Sequence, residues 1–205
     1  MSKKEVLAEL AVRMEADKSL PLRESNFVFG EGSPDSKVMF IGEAPGFYED
    51  REKRPFVGRA GQLLRKLIGD LNWKEEEVYI TNIVKRRPPD NRDPLPEEIE
   101  AYKPYLAEQI RIVDPKVIVS LGRFSMNYFL PDAKISKDQG RLFRTGGKLV
   151  YPIYHPAAAL RSTKVLEDLV ASFKKLPLIL DGKNLVETNP ETNVELKRPP
   201  QRRLF

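Results

Sequence analysis

The chain contains no cysteine, which excludes disulfides, thiolate catalysis, zinc fingers and any cysteine-held iron–sulfur cluster. Long hydrophobic runs are also missing: none approaches the roughly 20 apolar residues that span a bilayer. The stretch MSKKEVLAELAVRMEADK has a helical apolar period through Val6, Leu7, Leu10 and Met14. It lacks the apolar core and cleavage-site pattern of a secretory signal, so a cytoplasmic protein is expected. Histidine occurs once, at His155, and no internal repeat is present.

What remains is ordinary globular material. The 205 residues, 40% of them hydrophobic, suffice for one core, or one core and a tail. A net charge of +5 is compatible with a polyanionic partner. Charged residues reach 32% of the chain against about 25% in an average protein, a shift in the direction of heat-adapted proteins.

Strand and helix patterns alternate. KVMFI is a short buried strand, GRAGQLLRKLIGDL a helix, EVYITNIVK a second strand, and PEEIEAYKPYLAEQIRIV a helix that opens on proline and acids and continues through Pro104. KVIVSLG is a strand, GRFSMNYFL a short helix and KLVYPIYHP the last strand, followed by a closing helix over about 161–175. This order predicts one α/β domain over 1–180, with a central, mainly parallel four-stranded sheet flanked by helices in three layers. From about Leu180 the periodicity stops, and 181–205 reads as a flexible tail.

Within KVMFIGEAPGFYEDREKRPFVGRAGQLL the first strand runs into a glycine and proline turn that carries Glu43. In open α/β sheets the carboxyl ends of strands are where ligands bind, so a carboxylate there points to chemistry. Taken with YITNIVK, RRPPDNRDPLPEE, KVIVSLG and HPAAALR in this order, the stretch resembles family 4 uracil-DNA glycosylases, the thermostable bacterial and archaeal branch, over roughly 15–175.

The resemblance implies an enzyme that flips uracil out of DNA and hydrolyses its N-glycosidic bond, initiating base-excision repair of deaminated cytosine. Phe56 stands where the family stacks uracil; the plain alternative is a core phenylalanine. Asn82, at the end of an apolar strand, suits the donor and acceptor edge of uracil, which one side-chain amide can satisfy. His155, in HPAAALR, falls where the family donates a hydrogen bond to the uracil oxygen that gathers charge. Glu43 would then orient or activate the attacking water, and Glu49 would crowd out the methyl group of thymine. Gly42 and Ala44 complete the pocket with backbone groups.

Lys85, Arg86, Arg87 and Arg92, in a proline-stiffened loop, are expected to contact phosphates, as is Arg161. Ala158 and Ala159 replace the bulkier residues usual in the family, which leaves Leu160 as the candidate wedge for the gap behind a flipped base. The tail ends in QRRLF, where Gln201, Leu204 and Phe205 resemble a shortened sliding-clamp-binding peptide. Family members usually hold a four-iron cluster on four cysteines. The corresponding positions fall near Glu15, Lys18, Arg86 and Tyr102, so no cluster, no other cofactor and no metal is expected. An acid, two bases and a tyrosine would instead pin the same loop through ion pairs and hydrogen bonds. A monomer working alone on uracil-containing DNA is the reading; the alternative is a catalytically silent DNA- or clamp-binding adaptor on the same fold.

Overall fold

In the computed structural model residues 1–182 are described; the clamp-peptide candidates Gln201, Leu204 and Phe205 lie outside them. The first element, α1 (Lys3–Ala16), opens on a capping box in which Ser2 and Glu5 satisfy each other's backbone N–H groups. After a two-residue strand, β1 (Glu31–Gly32), comes β2 (Val38–Gly42), all five residues of which are buried. Then follow α2 (Phe47–Glu52), α3 (Arg59–Gly69), β3 (Tyr79–Asn82) and α4 (Pro96–Val113). The second half holds β4 (Val117–Leu121), α5 (Gly122–Phe129), α6 (Ile135–Asp138), β5 (Phe143–Thr145), β6 (Lys148–Ile153), α7 (Pro156–Ala159) and α8 (Thr163–Leu180).

The sheet order is β1-β3-β2-β4-β6-β5. Its centre, β3-β2-β4-β6, is parallel, as the alternation of strands and helices predicts. Two short antiparallel strands, β1 and β5, extend the expected four strands to six. Neither carries an apolar run, because an edge strand of two or three residues is held by its neighbour's ladder and needs no core of its own.

Successive side chains of β2 point to opposite faces. Met39 and Ile41 join Leu10, Leu106 and Met126 from α1, α4 and α5, whereas Val38 and Phe40 join Leu64, Leu169 and Phe173 from α3 and α8. The result is the expected three-layer α/β sandwich. Two boundaries differ from expectation. The second strand pairs only from Tyr79 to Asn82, and α8 continues through Pro177 to Leu180. Beyond Asn82 the N–H groups of Ile83 and Val84 donate to the carbonyls of Gly42 and Glu43, which turns the chain inward.

Candidate active site

The carboxyl ends of β2, β3 and β6 converge on a cavity of about 390 Å³, lined among others by Glu43, Ala44, Glu49, Phe56, Asn82, Arg92, His155 and Arg161. Gly42 and Asn82 are paired neighbours in the sheet. A Cβ at Gly42 would collide with Asn82 Oδ1 and with the ring of Phe56, so the bare glycine is what lets amide and ring approach each other. Phe56 lies in the left-handed region, at φ 53°, a conformation costly for an aromatic residue. Its carbonyl accepts a 2.9 Å bond from Arg65 Nε. That hold supports the strained turn and keeps the ring facing the cavity.

Asn82 is 2% exposed, and its Oδ1 has no hydrogen-bond partner. A buried acceptor left open costs about 1–3 kcal/mol, a cost recovered when a ligand donates to it. Glu43 carries a carboxyl pushed up to about 7, first by burial, then by the charge of Asp93, with Arg123 acting in the opposite sense. Glu49 is oriented by the backbone: its Oε1 accepts from Val57 N–H at 2.9 Å and Gly58 N–H at 2.7 Å.

His155 caps α7, with its Nδ1 accepting from Ala157 N–H at 3.1 Å. An accepting Nδ1 assigns the proton of the neutral ring to Nε2. Burial lowers the pKa of His155 to about 4, only weakly opposed by Glu49, so the imidazole is neutral at physiological pH. Its ring centroid is 5.8 Å from that of Phe56, and Gly122, at φ +83°, leaves room for its Cβ.

The loop after Asn82 departs from expectation. Lys85 is fully buried and gives its three protons to Thr81 Oγ1 at 2.5 Å, Asn82 O at 2.6 Å and Gln109 Oε1 at 2.6 Å. Burial drives its pKa well below the ordinary lysine value, while three acceptors match the three protons of the charged form. It clamps the end of β3 to α4 and cannot reach a phosphate. Arg86 is 6% exposed, bonded to the Ser25 carbonyl and stacked 5.5 Å from the Phe27 ring centroid. It too is a structural residue rather than a DNA contact.

Arg92 lines the cavity, but its guanidinium is held by Glu98 at 2.6 and 2.8 Å, which caps the start of α4. Of the expected phosphate contacts, Arg87 at the rim and the exposed Arg161 remain available, and Leu160 is 42% exposed. The sequence reading missed Asn91 and Asp93, which line the cavity, and Arg123, which with Asp93 tunes Glu43. The one signal for Asn91 and Asp93 was the NRD run between prolines, and nothing local marked Arg123; their relation to Glu43 is set by the fold.

The cluster positions also separate. Arg86 and Tyr102 point inward, the Tyr102 hydroxyl donating to the Pro21 carbonyl at 3.0 Å. Glu15 and Lys18 are exposed. The acid of this corner is Asp17, which accepts from Tyr105 at 2.5 Å, while Arg23 binds the carbonyls of Asp17 and Glu15 at 2.7 and 3.2 Å. Four-iron clusters need thiolate ligands, and this donor set does not fit one.

An acid, an open amide, an aromatic ring and a neutral imidazole meet in one pocket at the strand ends of an α/β sandwich. Residues 29–176 match the model of the Uracil DNA glycosylase superfamily, and the chain belongs to that superfamily. Among its relatives is a type-4 uracil-DNA glycosylase of Sulfurisphaera tokodaii, 45% identical over 164 residues, which cover 74% of each chain. A type-4 uracil-DNA glycosylase of Thermotoga maritima is 44% identical over 73% of this chain and 83% of its own. A type-5 uracil-DNA glycosylase of Pyrobaculum aerophilum is 30% identical over 62% of this chain and 63% of its own.

Proposed function

We infer that the protein is a uracil-DNA glycosylase that binds uracil-containing DNA and hydrolyses the bond between N1 of uracil and C1′ of deoxyribose. The observation that carries this reading at the level of the site is the buried, unpartnered Oδ1 of Asn82 beside the ring of Phe56. Uracil fills that vacancy: its N3–H donates to Oδ1, its O4 accepts from the amide nitrogen, and its face lies on Phe56.

Cleavage moves the bonding electrons onto N1 and O2 of the departing base and leaves positive charge on the sugar. The Nε2–H of a neutral His155 donates to O2 and gains strength as charge accumulates there, without a proton having to move first. Glu43, as carboxylate, supports the sugar cation and takes a proton from the water that adds to C1′. Glu49 meets the carbon-5 edge and excludes thymine, a role supported by the two backbone N–H groups that hold its carboxylate at the cavity.

The chemistry runs without a cluster. Arg86, Tyr102, Arg23 and Asp17 anchor the corner where the family's thiolates would stand. The protein acts as a monomer at the start of base-excision repair, and recruitment to a sliding clamp through Gln201, Leu204 and Phe205 rests on the sequence pattern alone. The adaptor alternative would have no use for an open buried amide facing a desolvated acid and imidazole.

The deciding experiment is abasic-site formation on uracil-containing oligonucleotides, read by strand scission on a gel. Release of uracil but not thymine is expected. Binding without release at any pH, salt or temperature would leave the adaptor.

A further inference from the structure

α2 buries none of its side chains, so packing does not explain its composition. It is anchored instead by its acids: Glu49 accepts from Val57 and Gly58, and Asp50 accepts from the Asn26 N–H at 2.7 Å. On this helix Phe47 and Tyr48 stand side by side, each 50% exposed, with ring centroids 5.4 Å apart at 84°. Two large exposed aromatic rings on an element without a core role are uncommon, and such patches mark interaction surfaces.

The pair is fixed at the cavity rim. Gly46 and Glu49, on either side of it in sequence, line the cavity. The guanidinium of Arg87 lies 5.3 Å from the Phe47 centroid, and its Nε donates at 2.6 Å to Asn91, another lining residue. Arg51 lies 5.4 Å from the Tyr48 centroid. Each ring therefore has a cation beside it, although Arg51 is shared with Glu52 at 3.6 Å. Aromatic faces with interleaved guanidinium groups next to a base pocket match one partner: a nucleic-acid strand, with bases for the rings and phosphates for the arginines.

We propose that Phe47, held in a T-shaped contact with Tyr48, is a stacking platform for a base that neighbours the flipped uracil in the DNA strand. The platform rests on the glycosylase reading for its location but binds any base, because every base has a stacking face. It holds the strand on the α2 side of the pocket, while Leu160 and Arg161 contact it from the α7 side.

The test compares the full-length protein with Phe47→Ala, Phe47→Leu and Phe47→Trp on two substrates: a 15-nucleotide single strand with one central uracil, and a single deoxyuridine bearing 5′ and 3′ phosphates. On the long strand Phe47→Ala raises KM about tenfold, within the range of one stacked base, Phe47→Leu does nearly the same, and Phe47→Trp restores it. On the single nucleotide all four proteins behave alike. Replacing the neighbouring bases with abasic spacers, one side at a time, brings wild type down to the level of Phe47→Ala for one of the two sides.

An equal loss on both substrates, full function in Phe47→Leu, or an unchanged KM on the long strand overturns the platform. Fluorescence anisotropy on a uracil-free strand reads it independently of catalysis. There Phe47→Ala should bind about tenfold more weakly, and equal affinity overturns the proposal even if the wild type releases no uracil. A melting curve matching wild type is expected, since the helix buries no side chain.

Discussion

Two buried polar regions of this molecule treat their hydrogen bonds in opposite ways. In the cavity, Asn82 keeps an unpartnered acceptor and Glu43 a carboxyl raised to about 7. In the corner between α1, α4 and the segment around Ser25, Arg86 and Tyr102 are as deeply buried but bind the carbonyls of Ser25 and Pro21. Satisfied groups lock one arrangement, whereas open ones store free energy that a ligand releases. Lys85 belongs to the satisfied class although it adjoins the cavity, since all three of its protons have acceptors.

The sharpest way to break this comparison is to remove the open groups. Glu43→Gln and His155→Ala should each slow single-turnover uracil release by about 10²-fold or more; Glu43→Gln should leave the melting temperature unchanged or raised, whereas His155→Ala, which loses the cap of α7, should lower it. A fall in stability in Glu43→Gln would place that residue in the satisfied class.

Lys85→Met fills the same space and leaves three buried acceptors without donors. Stability should fall by roughly 2–4 kcal/mol, read by urea unfolding, and uracil release should drop because the end of β3 that carries Asn82 loses its clamp. Unchanged stability would mean that burial of the ammonium already cancels the worth of its bonds.

Within the corner, Arg86→Ala should lower the melting temperature by several degrees. One charge-assisted bond contributes about 1.5–3 kcal/mol, and each kcal/mol moves a domain of this size by about 2–4 °C. Arg87→Ala, one residue on and at the rim, should weaken DNA binding and leave melting unchanged. Equal melting of the two variants would erase the distinction between corner and rim.

The smallest effect is on pH. Glu43 acts as carboxylate, so kcat/KM should rise with pH through an apparent pKa of about 7. His155, lowered to about 4, loses its extra proton well below that range and does not shape this limb. Asp93→Asn removes a neighbouring negative charge, eases ionisation of Glu43 and should move the midpoint to lower pH; Arg123→Gln should move it higher. A midpoint that stays put in both variants would assign the limb to another group.

Much of the molecule was legible before folding was considered. Short, mainly apolar runs closed by a glycine identify β2 and β4, and the period of Leu64, Leu67 and Ile68 identifies α3, because these patterns are local. Glu43, Asn82 and His155 stand out for a related reason: each is a polar residue at, or within two positions of, the carboxyl end of an apolar strand, where an α/β sheet opens to ligands. The edge strand β1 left no such trace, since its partner β3 is distant in sequence; β5 forms a hairpin with β6 across Gly146 and Gly147, and that two-glycine turn was its one local signal.

The four cations of KRRPPDNR were indistinguishable by type and came to opposite ends: Lys85 and Arg86 inside, Arg87 at the rim, and Arg92 bound to Glu98. β3 ends at Asn82, the N–H groups of the next two residues bond the carbonyls of Gly42 and Glu43, and three positions beyond Asn82 a lysine meets Gln109 of α4 instead of solvent. The pKa of Glu43 is raised first by burial and then by Asp93, 50 positions along the chain, and is opposed by Arg123, 80 positions along. Composition and spacing determine which groups are available and which elements carry them. Whether a charge ends buried and paired, buried and open, or exposed follows from the desolvation and Coulomb fields of residues brought together only by the tertiary structure.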